Sequence, residues 1–402
     1  MTDDHTVYVN TPSLLHTACQ QLQGCSVICV DTEFHRETTY RPEFALLQAY
    51  AGSRCWLFDP LALDDMSPLW TVLCDPTIVK VFHAGHQDME IILQECGQLP
   101  LPMFDTQVAA SLLGYGQQIG FANLVQRVMK KNLPKQESFS DWMARPLRPQ
   151  QLDYAADDVI WLMPVYQSLQ EQLEARGRLL WLQQEQASLC QVETYIEDIN
   201  QVFWRVKGVN RLRGRALAVL RELAAWRETA ARKRNLPRRR VMQDDPLLEI
   251  ARRDQLSLDV MERMRGLSHG LLRRFGDELI TVWQRGMACD AEHWPKVERA
   301  ASHAAGTDLR MELMNSLVRL KSEECDVASS ILVRRSELSA LASWGCDCKG
   351  EPPELQCLMH WRYDLVGHDL LRLLRGEICL CLDTQSGLPK IRAMADLKNT
   401  AA

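Results

Sequence analysis

One stretch constrains this chain more than any other: Ser26-Val27-Ile28-Cys29-Val30-Asp31-Thr32-Glu33-Phe34. Its short, β-branched apolar run is of the kind that forms a buried strand, and it ends in two carboxylates at i and i+2. On a strand that spacing turns both side chains to the same face. Two carboxylates converging on one point repel each other unless a cation sits between them, and hard divalent ions such as Mg²⁺ take oxygen ligands. Asp31 and Glu33 therefore read as half of a metal site, against the plainer reading of an acidic strand end facing solvent.

Later segments supply the other half. Val79-Lys80-Val81-Phe82-His83 is a second strand-like run, and Ala84-Gly85-His86-Gln87-Asp88-Met89-Glu90 opens a helix behind it. Further on, Tyr154 and Asp158 stand at i and i+4, neighbours on one helical face. These residues resemble the DEDD exonucleases, in the branch with a tyrosine in the third motif. Asp31 and Glu33 match the first motif, Asp88 the second and Tyr154-x-x-x-Asp158 the third. The resemblance narrows to the bacterial ribonuclease D family through Asp31-Thr32-Glu33-Phe34, Phe82-His83-Ala84-Gly85-His86-Gln87-Asp88 and Ser140-Asp141-Trp142-x-x-Arg145-Pro146-Leu147.

Along residues 1–200 the pattern fits such an enzyme. Thr6 to Val9 predicts a first strand, and Thr11-Pro12 an N-cap and N1 proline for a helix through Leu22. Two strands around Gly52-Ser53 suggest a hairpin. After them helices and strands alternate as crossover units do, with strands at Ile78 to Phe82 and near Met103. Arg148-Pro149 starts the third-motif helix, whose apolar residues continue through Trp161 and Val165, and Pro164 should kink it. The fold that the resemblance implies is an α/β ribonuclease H-like exonuclease domain, a mixed sheet with helices. All-α helical domains follow. Residues 207–288 resemble an HRDC module, with helices from about Arg213 to Arg234, from an Asp245 cap, from Ser257 and from Ser268 to Arg285. Residues 308–376 are expected to be a second, divergent HRDC-like unit, and 377–402 a tail.

Composition bears on partners and compartment. No apolar run approaches the ~20 residues of a membrane helix, and Met1-Thr2-Asp3-Asp4-His5 lacks the basic region of a signal peptide. A cytoplasmic protein, outside the membrane, is the expectation. The 14 cysteines show no disulfide framework, and Cys346-Asp347-Cys348 with Cys357 and His360 is a poor match to zinc spacing. A net charge of −6 hides a basic block from Arg205 to Arg240, opposed within that window only by Glu222 and Glu228. Such a block suits phosphate binding, although a solvated helix face would look the same. No coiled-coil heptads point to assembly, so a monomer is expected.

The resemblance implies two-metal hydrolysis of an RNA 3′ end, with Mg²⁺ or Mn²⁺. Asp31, Glu33 and Asp158 would hold one ion, Asp31 and Asp88 the second, and Tyr154 would orient the attacking water. Transfer-RNA precursors and similar small structured RNAs are the implied substrates. Phe34 is either a stacking surface for the terminal base or a core phenylalanine. His83 and Gln87 flank Asp88 and would contact phosphates or support the ligands, a structural histidine being the alternative for His83. Lys135 and Arg145 would meet phosphates upstream, capping of local structure ahead of Pro146 being the alternative for Arg145. Two other readings stay open: a DNA 3′–5′ exonuclease, and a non-catalytic RNA-binding scaffold.

Overall fold

The computed structural model describes residues 5–134, 137, 140–296, 306–346 and 348–395. Six strands, β1 (Thr6–Val9), β2 (Val27–His35), β3 (Glu43–Ala51), β4 (Arg54–Phe58), β5 (Val79–Phe82) and β6 (Met103–Asp105), form one mixed sheet ordered β1-β4-β3-β2-β5-β6. The β2-β3-β4 meander is antiparallel, whereas β1 with β4, β2 with β5 and β5 with β6 run parallel. The carboxylate strand β2 thus sits inside the sheet, paired on both edges.

Alternation along β2 and β3, broken only near the register shift at Glu33 and Phe34, divides the core into two layers. Ile28 and Val30 on β2 and Leu47 and Ala49 on β3 face α1 (Pro12–Leu22), α2 (Ser67–Leu73) and α3 (His86–Cys96). Cys29 and Leu46 face the opposite layer of α4 (Thr106–Ser111), α5 (Phe121–Met129), α6 (Pro149–Ile160), α7 (Leu162–Ala175) and α8 (Leu179–Gln186). Ala155, Val159, Leu162, Val165, Leu169 and Leu173 form a fully buried stripe at helical spacing. Each large aliphatic side chain there contributes about 1.5–3 kcal/mol. The expected kink resolves as a break between α6 and α7 at Trp161. Pro164 has no N–H to give Ile160, and its ring crowds that carbonyl.

A second unit has its own apolar core, built around α9 (Gly214–Arg234), α10 (Arg238–Val241), α11 (Asp244–Ala251), α12 (Leu258–Glu262) and α13 (His269–Met287). α9 stops at Asn235, in the left-handed conformation (φ 48°) that asparagine tolerates. Ser257 and Ser268 cap α12 and α13 through their hydroxyls. Two expectations shift. α11 begins at Asp244 behind Gln243, so Asp245 is not its cap and Pro246 stands at the third helical position. The core also starts ahead of residue 207, because Val202, Phe203 and Val206 pack into it.

The last unit comprises α14 (Thr307–Cys325), α15 (Ser329–Leu332), α16 (Arg335–Trp344), α17 (His360–Arg362) and α18 (His368–Leu374), with a hairpin of β7 (Ile378–Leu382) and β8 (Pro389–Ala393) in the presumed tail. It is not a separate appendage. Its Met314, Leu317, Leu341 and Leu370 belong to the same apolar cluster as α6 and α7. Arg178 donates to the carbonyls of Leu112 (2.6 Å) and Cys325 (2.5 Å), Arg362 pairs with Glu185 at 2.5 Å, and Trp181 stacks on Trp361 with ring centroids 4.6 Å apart. Among the described residues no helix is long and apolar enough to cross a membrane.

Candidate active site

β2 and α6 bring the first and third motifs together. One oxygen each from Asp31, Glu33 and Asp158 lie within 4.8 Å of one another. The convergence follows from local rules: period-2 alternation on β2 gives Asp31 and Glu33 one face, and α6 packs across that face. Pro149 opens α6, and the Gln151 side chain accepts from the Arg148 N–H at 3.0 Å. From that start Tyr154 and Asp158 come one turn apart toward the strand, and they hydrogen-bond to each other. A cleft of about 340 Å³ opens over Asp31, Glu33, Tyr154 and Asp158, walled by Phe121 and Leu133.

Asp88 arrives from the opposite layer, in the first turn of α3. Thr32, which alternation turns to that layer, donates its hydroxyl to Asp88 Oδ1 at 2.5 Å. Asp88 interacts electrostatically with both Asp31 and Glu33. All four carboxyls resist ionisation. Burial, then the charges of Asp88, Asp158 and Glu33, holds Asp31 well above the usual range. Burial followed by Asp158 and Asp88 pushes Glu33 up to about 9. Burial raises Asp158 to about 7 and Asp88 to about 6, against the hydrogen bonds from Tyr154 and Thr32. Four crowded acids, Asp88 buried and the other three half-buried, with no basic side chain among the causes of their shifts, form an all-oxygen donor set that suits hard divalent cations.

The substrate residues expected from the sequence fare less well. His83 lines the cleft, yet its Nε2 donates to the Ile119 carbonyl (2.9 Å) and its Nδ1 lies 3.0 Å from the Thr106 hydroxyl. Burial lowers its pKa, so it is the neutral structural histidine of the alternative reading. Phe34 packs against the α1–α3 layer beyond a register shift in β2, and does not line the carboxylate cleft. Gln87 is exposed and lines a different, larger cleft of about 1340 Å³ between α3 and the α9 unit. Lys135 lies outside the described residues, as does Asp347 of the weak zinc motif.

Arg145 needs correction. All five of its N–H groups are engaged inside the fold, two with Asp59 at 2.7 and 2.8 Å and the rest with carbonyls of Ala45, Trp142 and Ala144. It is a fold-closing residue, and Asp59, which carries no motif, is its partner. Arg145→Ala should cost about 3 kcal/mol of stability, because it strands a buried carboxylate. A melt that moved by less than a degree, with RNA affinity lost, would return Arg145 to phosphate binding.

The arginine block is also less free than its sequence suggests. Glu197 pairs with Arg205, Arg232 and Arg238, and Asp244 with Arg227 and Arg239, both acids lying outside the counted window. Tyr40, from the loop between β2 and β3, bonds Glu228 and receives a bond from Arg232. Lys207, Arg211, Arg215, Lys233 and Arg240 stay exposed. Sequence reasoning missed Phe121 and Leu133 as cleft walls and Thr32 as the bond to Asp88. It also passed over Gln48, buried opposite Asp31 with neither amide atom bonded within the protein.

A mixed sheet carrying a four-carboxylate cluster and a partnering tyrosine defines a metal-dependent 3′–5′ exonuclease. Residues 6–174 match the family described as 3′-5′ exonuclease, and residues 216–282 the HRDC domain. The ribonuclease D of Granulibacter bethesdensis is 37% identical, over 92% of this chain and 92% of that protein. That of Acidiphilium cryptum is 36% identical over 93% and 94%. The crystal structure of Escherichia coli RNase D, described as an exoribonuclease involved in structured RNA processing, superposes with a TM-score of 0.79 at 31% identity. That match covers 92% of this chain and 98% of the other. The chain belongs to the ribonuclease D family and is a hydrolytic 3′–5′ exoribonuclease.

Proposed function

We propose that the chain trims the 3′ ends of transfer-RNA precursors and similar structured RNAs, releasing 5′-mononucleotides one at a time. The observation that carries this reading is the convergence of Asp31, Glu33 and Asp158 within 4.8 Å, with Tyr154 one helical turn from Asp158. Asp31, Glu33 and Asp158 would hold one Mg²⁺ or Mn²⁺ ion, and Asp31 with Asp88 a second, Asp31 bridging. Bound divalent ions supply Lewis-acid stabilisation of charge on the scissile phosphate and leaving 3′ oxygen, and lower the pKa of water. The Tyr154 hydroxyl orients the attacking water by hydrogen bond, and a phenol with an ordinary pKa near 10 is a poor base at neutral pH. Thr32 holds Asp88 through its hydroxyl, and Phe121 and Leu133 offer apolar walls against which a terminal base can pack.

Division of labour follows the units: residues 1–200 perform the chemistry, and 207–288, with 308–376, grip the body of the RNA through exposed cations such as Arg211, Arg215 and Arg240. Incubation with a tRNA precursor carrying a 3′ trailer, with and without chelator, tests the reading. Sequenced ends should recede stepwise only when metal is present, with 5′-monophosphate products. Cleavage of a circular RNA, or products with 3′ phosphates, would defeat it. Comparable rates on an all-deoxy strand would favour the DNA alternative. Tyr154→Phe should lower turnover by about 10²-fold while leaving RNA affinity unchanged. Unaltered turnover in that variant would place the orienting hydrogen bond elsewhere.

A further inference from the structure

Behind the sheet layer of α1–α3, away from the carboxylate cleft, a second opening of about 970 Å³ is lined by Trp70, Cys74, Glu95 and Cys96 among others. It shares no lining residue with the carboxylate cleft. Cys74 caps the C-terminus of α2 and Cys96 is the last residue of α3, where Gly97 turns the chain away at φ 77°. Their sulfurs lie 3.9 Å apart, and both residues are partly exposed. Among the described residues no other two thiols share a hydrogen bond. Beneath them Lys80 is wholly buried, its ammonium held by the carbonyls of Asp75, Ile78 and Leu101 at 2.6–2.7 Å. Its charge favours the Cys74 thiolate, partly offsetting the shared bond and burial that raise that thiol.

We propose that Cys74 and Cys96 form a reversible dithiol–disulfide site, oxidised by hydroperoxides, that ties the end of α2 to the end of α3. A disulfide of about 2.05 Å requires roughly 1.9 Å of approach between the two sulfurs. Both sulfurs belong to terminal helical residues, where side-chain rotation and small end movements supply that distance. The Cys96 thiolate attacks one peroxide oxygen, the O–O bond breaks, and the released oxygen leaves as water after taking a proton. The resulting Cys96 sulfenic acid is then attacked by the Cys74 sulfur, which gives up its proton as the S–O bond breaks and a second water departs. Two thiols lose two electrons in total and one hydrogen peroxide gains them. A small dithiol restores the pair by exchange.

The bond that the two thiols share lowers Cys96, with a backbone hydrogen bond at Gln98 adding to it against burial, and raises Cys74. Either sulfur can donate in that bond, and attack by either one first yields the same disulfide. Burial pushes Cys19, Cys29, Cys55 and Cys357 up, which leaves them poor nucleophiles. Cys346 is the exposed thiol against which the pair can be judged.

The full-length reduced protein is treated with one equivalent of hydrogen peroxide, unfolded in an alkylating reagent and mapped by peptide mass. A Cys74–Cys96 cross-linked peptide, lighter by two hydrogens and absent after dithiothreitol, should appear at least about tenfold faster than oxidation of Cys346. Cys74→Ser should leave Cys96 to proceed to sulfenic and sulfinic acid, and Cys96→Ser should leave Cys74 alkylatable. Both reduced variants should trim RNA as the parent does, which reports that they fold. Cys74 and Cys96 both still alkylated after Cys346 is consumed, or a cross-link to any other cysteine formed first, would overturn the proposal.

Discussion

Asp31→Asn is expected to lower turnover by at least about 10³-fold, which corresponds to several kcal/mol of lost transition-state stabilisation, while RNA affinity changes little. The exposed cations proposed to grip RNA lie on the α9 unit, far along the chain from β2, so removing one carboxylate from the middle of β2 leaves that surface intact. The same substitution should make the chelated protein more stable. Asp31 is charged with difficulty because it is buried and faces Asp88, Asp158 and Glu33, and an amide removes its share of that repulsion. Loss of activity with gain of metal-free stability is the signature of a ligand site, since a residue needed only for folding would lose both. Single-turnover trimming, filter binding and thermal melts with chelator measure the three quantities. Turnover above about one-tenth of the parent would remove Asp31 from the bridging position.

The clustering of the carboxylates was legible in the sequence because each is fixed by a short-range rule. Alternation on a strand pairs Asp31 with Glu33, a helical turn pairs Tyr154 with Asp158, and Asp88 opens a helix directly after a buried strand. The substrate residues depended instead on long-range partners. Nothing near Arg145 in sequence announces Asp59, which lies 86 residues away and consumes its guanidinium. Glu197 and Asp244 likewise lie just outside the arginine block, so a windowed charge count overstates the free positive surface. The C-terminal unit was read from its helices alone, as a module on a joint. Its apolar faces close instead on α6 and α7, so a fragment ending near residue 200 would expose Trp181 and lose the Arg178 and Arg362 contacts. Point substitution of Arg211, Arg215 and Arg240 is therefore the better probe of RNA grip, read as a shallower fall of affinity with salt.

The chelated protein should lose stability as pH rises from 6.5 to 8, and a divalent ion should reverse the trend. An acid whose pKa is raised by folding carries a proton that the unfolded chain has already released, so the folded state binds more protons and stability falls with rising pH. Glu33 at about 9 and Asp158 at about 7, against ordinary values of 4.5 and 3.8, place that loss across the chosen interval, and Asp31 adds to it. Buried neutral His83 works in the opposite sense, because its pKa is lowered, but its contribution ends near the ordinary 6.5. Lys80, lowered to about 8, adds stability only from the top of the interval upward and offsets little of the fall. The protons held against the unfolded state over this span are worth on the order of 3 kcal/mol, or about 4 °C of melting temperature. Metal binding must displace those protons, so its affinity strengthens as pH rises. Melts at the two pH values with chelator, with Mg²⁺ and with Mn²⁺ decide the matter. The chelated protein should melt lower at pH 8, the metal-loaded protein no lower, and Asp31→Asn should remove only the share of the chelated fall that Asp31 itself contributes. A chelated protein equally stable at both values would mean that the four carboxyls do not share one charge-crowded site.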